Sequence, residues 1–147
     1  MKSRKSSIKR SGFTLVEIMV VVVIIGLLAG IAVPQIMARL EEAKRTTART
    51  QIRSFEESLE MYRMHNSVYP TTQQGLQALV RKPTIAPVPR RYSPEGYAKD
   101  IPLDPWGNPY IYRCPGEKHL YDITSTARTG EEGGEGLDAD VTNHDPS

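Results

Sequence analysis

A single carboxylate, Glu17, interrupts an otherwise apolar run from Phe13 to Val33. An ionised acid deep in lipid costs roughly 2.5–3.5 kcal/mol and usually has a partner. The other reading is an acid near a helix end that reaches the membrane interface. The remaining groups with chemical potential are few. The three histidines (His65, His119, His144) and the lone Cys114 lack zinc-ligand spacing, and no nucleophile motif accompanies them. The Gly130–Gly136 stretch lacks the Lys-Ser/Thr of a phosphate loop and carries acids that repel phosphate. These absences argue against an enzyme. After Arg128 the tail holds Glu131, Glu132, Glu135, Asp138, Asp140 and Asp145 with no Lys or Arg, so it repels itself unless a cation or the rest of the chain balances it. Asp138-x-Asp140 in a glycine-rich loop offers two carboxylates and nearby carbonyls, the oxygen set a hard cation wants. A merely flexible acidic tail is the alternative.

The elements that position these groups follow from pattern. The apolar run is 21 residues long, and at about 1.5 Å per residue a helix of that length spans roughly 30 Å, a bilayer's hydrocarbon core. It exceeds the apolar region of about 7–15 residues in a cleaved signal peptide, although Gly30-Ile31-Ala32 offers a small-residue cleavage site and keeps that reading open. Lys2, Arg4, Lys5, Lys9 and Arg10 precede it with no acid, which keeps the N-terminus in the cytoplasm and places the rest outside. The chain carries 19 Lys and Arg against 17 Asp and Glu; without those five, 14 face 17, and residues 13–147 are net −3. The basic balance belongs to the leader, which argues against nucleic acid as a partner.

After Pro34, which predicts a kink or a local opening, the pattern turns amphipathic. Leu40, Ala43, Ala48, Ile52, Phe55, Leu59 and Tyr62 recur near three- and four-residue spacings, so the helix continues beyond the apolar run with one face covering a soluble core. Gly26 and Gly30 form a G-x-x-x-G pair suited to close helix approach. Thr71-Thr72-Gln73-Gln74 fits a capping box and predicts a helix over about 72–81. Thr84–Pro94 reads as an irregular connection with Arg90 and Arg91 solvated. Tyr110–Arg113 and His119–Thr124 read as a hairpin around Pro115-Gly116, within about three short strands. One small core is the most this length supports.

The string Gly12-Phe13-Thr14-Leu15-Val16-Glu17, behind a basic leader and opening a long apolar helix, resembles the signal of type IV pilins and type II secretion pseudopilins. YPTTQQGLQALV and DPWGNPYIYR are similar to the G-type major pseudopilins of type II secretion, the general secretion pathway protein G family. The resemblance implies an α+β, type IV pilin-like fold: a long N-terminal helix on a small antiparallel sheet with a C-terminal loop. It divides the chain into a cytoplasmic leader (1–12), a membrane-spanning and filament-core helix (13–36) and a periplasmic head (37–147). It implies cleavage after Gly12 by a prepilin peptidase, N-methylation of Phe13, and pairing of Glu17 with the new α-amine, four residues away on one helix face. The subunit would polymerise with itself, with minor pseudopilins and an inner-membrane assembly platform as partners and inner-membrane lipid around it before assembly, to drive export of folded proteins across the outer membrane. An adhesion or motility pilin, or an anchored periplasmic domain with no polymer role, are the alternatives. Type IV pilins commonly close their C-terminal region with a disulfide, whereas Cys114 has no second cysteine, and G-type pseudopilins use a calcium ion there. Their loop reads close to S-L-G-A-D-G where this chain has Ser125-Thr126-Ala127-Arg128-Thr129-Gly130. Thr126, Thr129, Asp138 and Asp140 are thus the expected calcium residues, with Thr129 at the usual aspartate position and His144 in place of a usual tryptophan.

Overall fold

The structure is a computed structural model that describes residues 12–145. Helix α1 spans Leu15–Asn66, 52 residues, as its apolar and then amphipathic periodicity predicts. Thr14 starts it: its hydroxyl accepts the N–H of Glu17 at 3.2 Å and its carbonyl accepts that of Ile18, which satisfies two of the donors a helix start leaves orphaned. The helix is unbroken at position 34, so the expected local opening is absent. In an apolar stretch the helical ladder is what satisfies the backbone, and it persists around a proline. The other end closes with Ser67 at φ 64°, its N–H on the Arg63 carbonyl at 2.7 Å, a left-handed cap.

The chain divides into two compact units, one ending at Arg39 and the other Leu40–Ser147. In the first, the large apolar side chains from Phe13 to Leu28 are all exposed, with Glu17 in the first turn of the helix. In the second, Ala48, Ile52, Phe55, Leu59 and Tyr62 form the buried stripe of α1. Leu40 and Ala43, expected on that stripe, are exposed, because the core covers the helix only from Ala48 onward.

The short helix α2 is one turn, Gln77–Val80, preceded by turns over residues 72–76. The capping box forms as predicted: the Thr71 N–H donates to Gln74 Oε1 at 3.0 Å and the Gln74 N–H to Thr71 Oγ1 at 3.3 Å. A regular helix over 72–81 does not follow from it. Gly75 takes φ 61°, outside the helical region, and Arg81 is extended. Leu76, Ala78 and Leu79 still reach the core.

Three strands make an antiparallel sheet in the order β1 (Ile111–Arg113), β2 (Asp122–Ser125), β3 (Val141–Thr142). The register pairs Ile111 with Thr124, Tyr112 with Ile123 and Arg113 with Asp122, and then Thr124 with Thr142 and Ser125 with Val141. The hairpin stands where expected, but its second strand begins at Asp122; His119–Tyr121 lie in the connection. Tyr112, Ile123 and Val141 turn inward against α1.

Candidate functional site

Gly12 and Phe13 precede α1 without regular structure, and both are exposed. A Cβ on Gly12 would meet nothing within 4 Å, so the fold itself does not demand glycine there. Any such demand comes from what reads the segment. Glu17 is the third residue of α1, and its N–H is held by Thr14. Thr14-x-x-Glu17 is also a capping-box string, so a local signal for this helix start is present beside the acid. The basic leader, residues 1–11, lies outside the described residues.

At the C-terminal loop the expected cation residues have separate partners. Thr126 is buried, and the Thr129 hydroxyl sits 2.9 Å from its carbonyl and 2.8 Å from that of Glu131. Asp138 is paired with Arg128, whose Nε and terminal nitrogen stand 2.9 and 2.7 Å from Oδ1. Asp140 accepts the Gly133 N–H at 2.9 Å through Oδ2, while its Oδ1 is buried without a partner. Thr126 and Thr129 are therefore brought together, and Asp138 is diverted to an arginine. Among the described residues no three His, Cys, Asp or Glu side chains gather as a metal-binding group. The unpartnered Oδ1 is nevertheless a buried oxygen that calls for a hydrogen-bond donor or a cation.

The loop is held at its base by Arg45, which no local sequence signal marks, and by Asp104 and Asn108 of the DPWGNPYIYR string. Arg45 of α1 donates to the carbonyls of Ala139 and Asp140, at 2.6 and 3.4 Å. Asn108 donates its amide to the Ala127 carbonyl at 2.7 Å. Asp104 is buried; it accepts the N–H groups of Trp106 and Asn108 at 3.0 and 2.8 Å and the Ser125 hydroxyl at 2.6 Å. Ala127 adopts φ 48°, a left-handed conformation that suits the glycine of the S-L-G-A-D-G pattern better than alanine.

A second polar cluster lines a cavity of about 330 Å³ beside β1 and β2. Arg113 forks onto Glu132 at 2.5 and 2.6 Å, and the rings of His119 and His144 stack 3.6 Å apart. His144 Nε2 lies 2.9 Å from Asp122 Oδ1. Although burial raises the Asp122 carboxyl, the Glu117 N–H and His144 outweigh it and hold it below its ordinary value; the hydrogen bond from Arg113 does the same for Glu132. The tyrosines are packing groups: burial pushes Tyr62 up to about 12, and burial with a hydrogen bond to Glu60 pushes Tyr69 to about 12, so both stay neutral near pH 7.

A long helix, apolar and then amphipathic, packed in its second half on a small antiparallel sheet and opened by a Gly-Phe-Thr-x-x-Glu start, defines a pilin-like protein. Residues 8–33 match the prokaryotic N-terminal methylation motif, and residues 35–144 match the type II secretion system protein G family. The chain belongs to that family. It is 52% identical over 137 residues to the type II secretion system core protein G of Pseudomonas aeruginosa, covering 93% of this chain and 96% of that one. It is also 52% identical to the Vibrio cholerae protein of the same name, covering 92% of each. The crystal structure of the major pseudopilin from the type 2 secretion system of enterohaemorrhagic Escherichia coli superposes with a TM-score of 0.66 at 41% identity, covering 73% of this chain and 91% of that one.

Proposed function

We propose that this chain is a structural, non-enzymatic subunit that polymerises with itself into the pseudopilus of a type II secretion system and thereby drives folded proteins across the outer membrane. Family membership supports the system, and Glu17 carries the mechanism. Among the described residues α1 is the helix long and apolar enough to cross a membrane, and the window that qualifies is not buried within the protein. The apolar stretch of α1 holds one acid, Glu17, in the helix's first turn. A prepilin peptidase cuts after Gly12 and methylates Phe13, leaving an α-amine four residues before Glu17, just ahead of the start of α1. In low dielectric that pair is far stronger than in water. An incoming subunit's amine satisfies the acid of its neighbour, so leaving the lipid for the filament relieves an unpaired charge. Before assembly the subunit sits in the inner membrane with its N-terminus cytoplasmic and its head periplasmic, and it meets minor pseudopilins and an assembly platform there.

The same reading gives the C-terminal loop a calcium ion, which supplies positive charge to oxygens that otherwise repel one another. The Thr126 carbonyl, the Thr129 hydroxyl, Asp138 and Asp140 would hold it. The unpartnered Oδ1 of Asp140 supports this, and Asp138 has to exchange Arg128 for the ion.

Mass spectrometry of the mature protein is expected to begin at methylated Phe13. Glu17→Ala is expected to insert and be cleaved yet form no filaments and secrete nothing. Normal filaments from that variant, or a mature chain beginning after Ala32, would overturn the reading.

A further inference from the structure

We propose that the groove at the C-terminal end of α1, bordered by Arg90 and Arg91, receives the acidic loop Glu131–Asp138 of a second copy of this chain. The proposal rests on the filament-subunit reading and names a contact within it. Charge along the chain is sorted. Between Glu60 and Glu95 stand Arg63, Arg81, Lys82, Arg90 and Arg91 with no acid, whereas beyond Arg128 there are acids and no Lys or Arg. Within the chain, Arg113 takes Glu132 and Arg128 takes Asp138. Glu131 and Glu135 remain exposed, as do Arg90 and Arg91, and none of the ion pairs among the described residues uses any of the four.

Placement explains why one copy cannot pair them internally. The acidic loop is tied to α1 at Arg45, through the Ala139 and Asp140 carbonyls. The basic groove is tied to the same helix at Asn66, whose Oδ1 accepts the Arg91 N–H at 3.3 Å. Residues 45 and 66 lie roughly 30 Å apart along a helix of 1.5 Å rise per residue. Parallel copies displaced along that axis bring the loop of one to the groove of another. Such a contact joins two different patches, is heterologous, and propagates into a filament rather than closing a dimer.

The apolar groups agree with the charges. The groove encloses about 520 Å³, and Met64, Val68 and Val88 on its walls are 79%, 48% and 49% exposed. Leu137 in the loop is 47% exposed, flanked by Glu135 and Asp138. A leucine inserted between those walls, with acids reaching the two arginines, is an apolar anchor inside a charged rim.

The test uses the full chain in secreting cells. Arg90→Glu with Arg91→Glu, and separately Glu131→Arg with Glu135→Arg, are each expected to lower pseudopilus yield at least tenfold. The fourfold charge exchange is expected to restore at least half of it. Arg91→Cys with Glu135→Cys, in a Cys114→Ser background, is expected to give a ladder of covalent multimers. Double variants that assemble like the parent, or a fourfold exchange as defective as either double variant with no cross-linked ladder, overturn the contact. Failure of the unaltered chain to form filaments would instead sink the subunit reading itself.

Discussion

The carboxylate of Asp104 accepts the hydroxyl of Ser125 at 2.6 Å, and both residues are buried. The same carboxylate holds the N–H groups of Trp106 and Asn108, so one acid fixes the D-P-W-G-N turn and ties it to the end of β2, where the C-terminal loop begins. Removing it leaves three donors in a closed space without an acceptor. Asp104→Ala is therefore expected to destabilise the head by about 2–4 kcal/mol, since each unsatisfied buried donor costs about 1–3 kcal/mol and relaxation recovers part of the sum. Asp104→Asn, which keeps one acceptor oxygen, should lose about half as much. Urea melts of the two variants check the order; equal midpoints would mean that the turn stands without this acid.

How much of this was legible in the sequence depends on the range of each signal. The course of α1 is written locally, in an apolar run that passes into a three-and-four spacing, and the structure follows it from Leu15 to Asn66. The capping box of Thr71 and Gln74 is equally local. The capping box predicts a longer α2 than forms, because Gly75 takes a positive φ that no periodicity reveals. Strand β3 is two residues long and exists only through pairing with Thr124 and Ser125. Arg45, the anchor of the loop, meets Ala139 across 94 positions, and the stacked His119 and His144 come together only once the hairpin and tail are in place. In the cation loop the residue types were readable, but the capture of Asp138 by Arg128 was a matter of geometry.

Acid should weaken the head in a defined window. Asp122 and Glu132 titrate below their ordinary values, the first held by the Glu117 N–H and His144 against the effect of burial, the second by Arg113. A depressed carboxyl stabilises the fold above its unfolded value, near 4, and that contribution disappears as pH falls through the folded value. The melting temperature is expected to be flat from pH 7 to about 5.5 and to fall below about pH 4.5. Arg113→Ala should make the acid limb shallower by the share of Glu132, which loses its partner, and leave the share of Asp122. An acid limb unchanged in that variant would show that the fork to Glu132 adds nothing in water, as many exposed pairs do.

Gly96 is a backbone requirement. It sits at φ 77°, and a Cβ there would lie 2.8 and 2.9 Å from the carbonyl oxygens of Val80 and Leu79. The Leu79 carbonyl already accepts the N–H groups of Tyr97 and Ala98, so it cannot retreat without loss. Gly96→Ala is expected to cost on the order of 1–3 kcal/mol, a drop of several degrees in a domain where about 1 kcal/mol corresponds to roughly 4–8 °C. Gly107→Ala also places alanine at positive φ, but in open space, and should cost less. If the two variants melt together, the close approach to α2 is not what makes glycine necessary.

The calcium proposal has the sharpest thermodynamic consequence, because an ion that binds only the folded head stabilises it by mass action. With free calcium at a hundred times the dissociation constant the gain is about 2.7 kcal/mol, some 10 °C or more at about 4–8 °C per kcal/mol. The full chain in detergent is expected to melt correspondingly higher with millimolar calcium than with chelator, and the chelated protein should be cut by protease from about Ser125 onward. Asp140→Asn keeps an acceptor for the Gly133 N–H but removes the charge, and should abolish the calcium response while changing the chelated protein little. Two further variants separate the ion from the arginine that now holds Asp138. Arg128→Ala frees that carboxylate and should tighten calcium binding while weakening the calcium-free loop. Thr129→Asp adds a third acid and should tighten binding further, at the cost of more repulsion in chelator. Melting curves that coincide with and without calcium up to about 10 mM, beyond the weak end of extracellular calcium modules, in both the parent and Thr129→Asp, would mean that Arg45, Arg113 and Arg128 close this loop and the ion has no place in it.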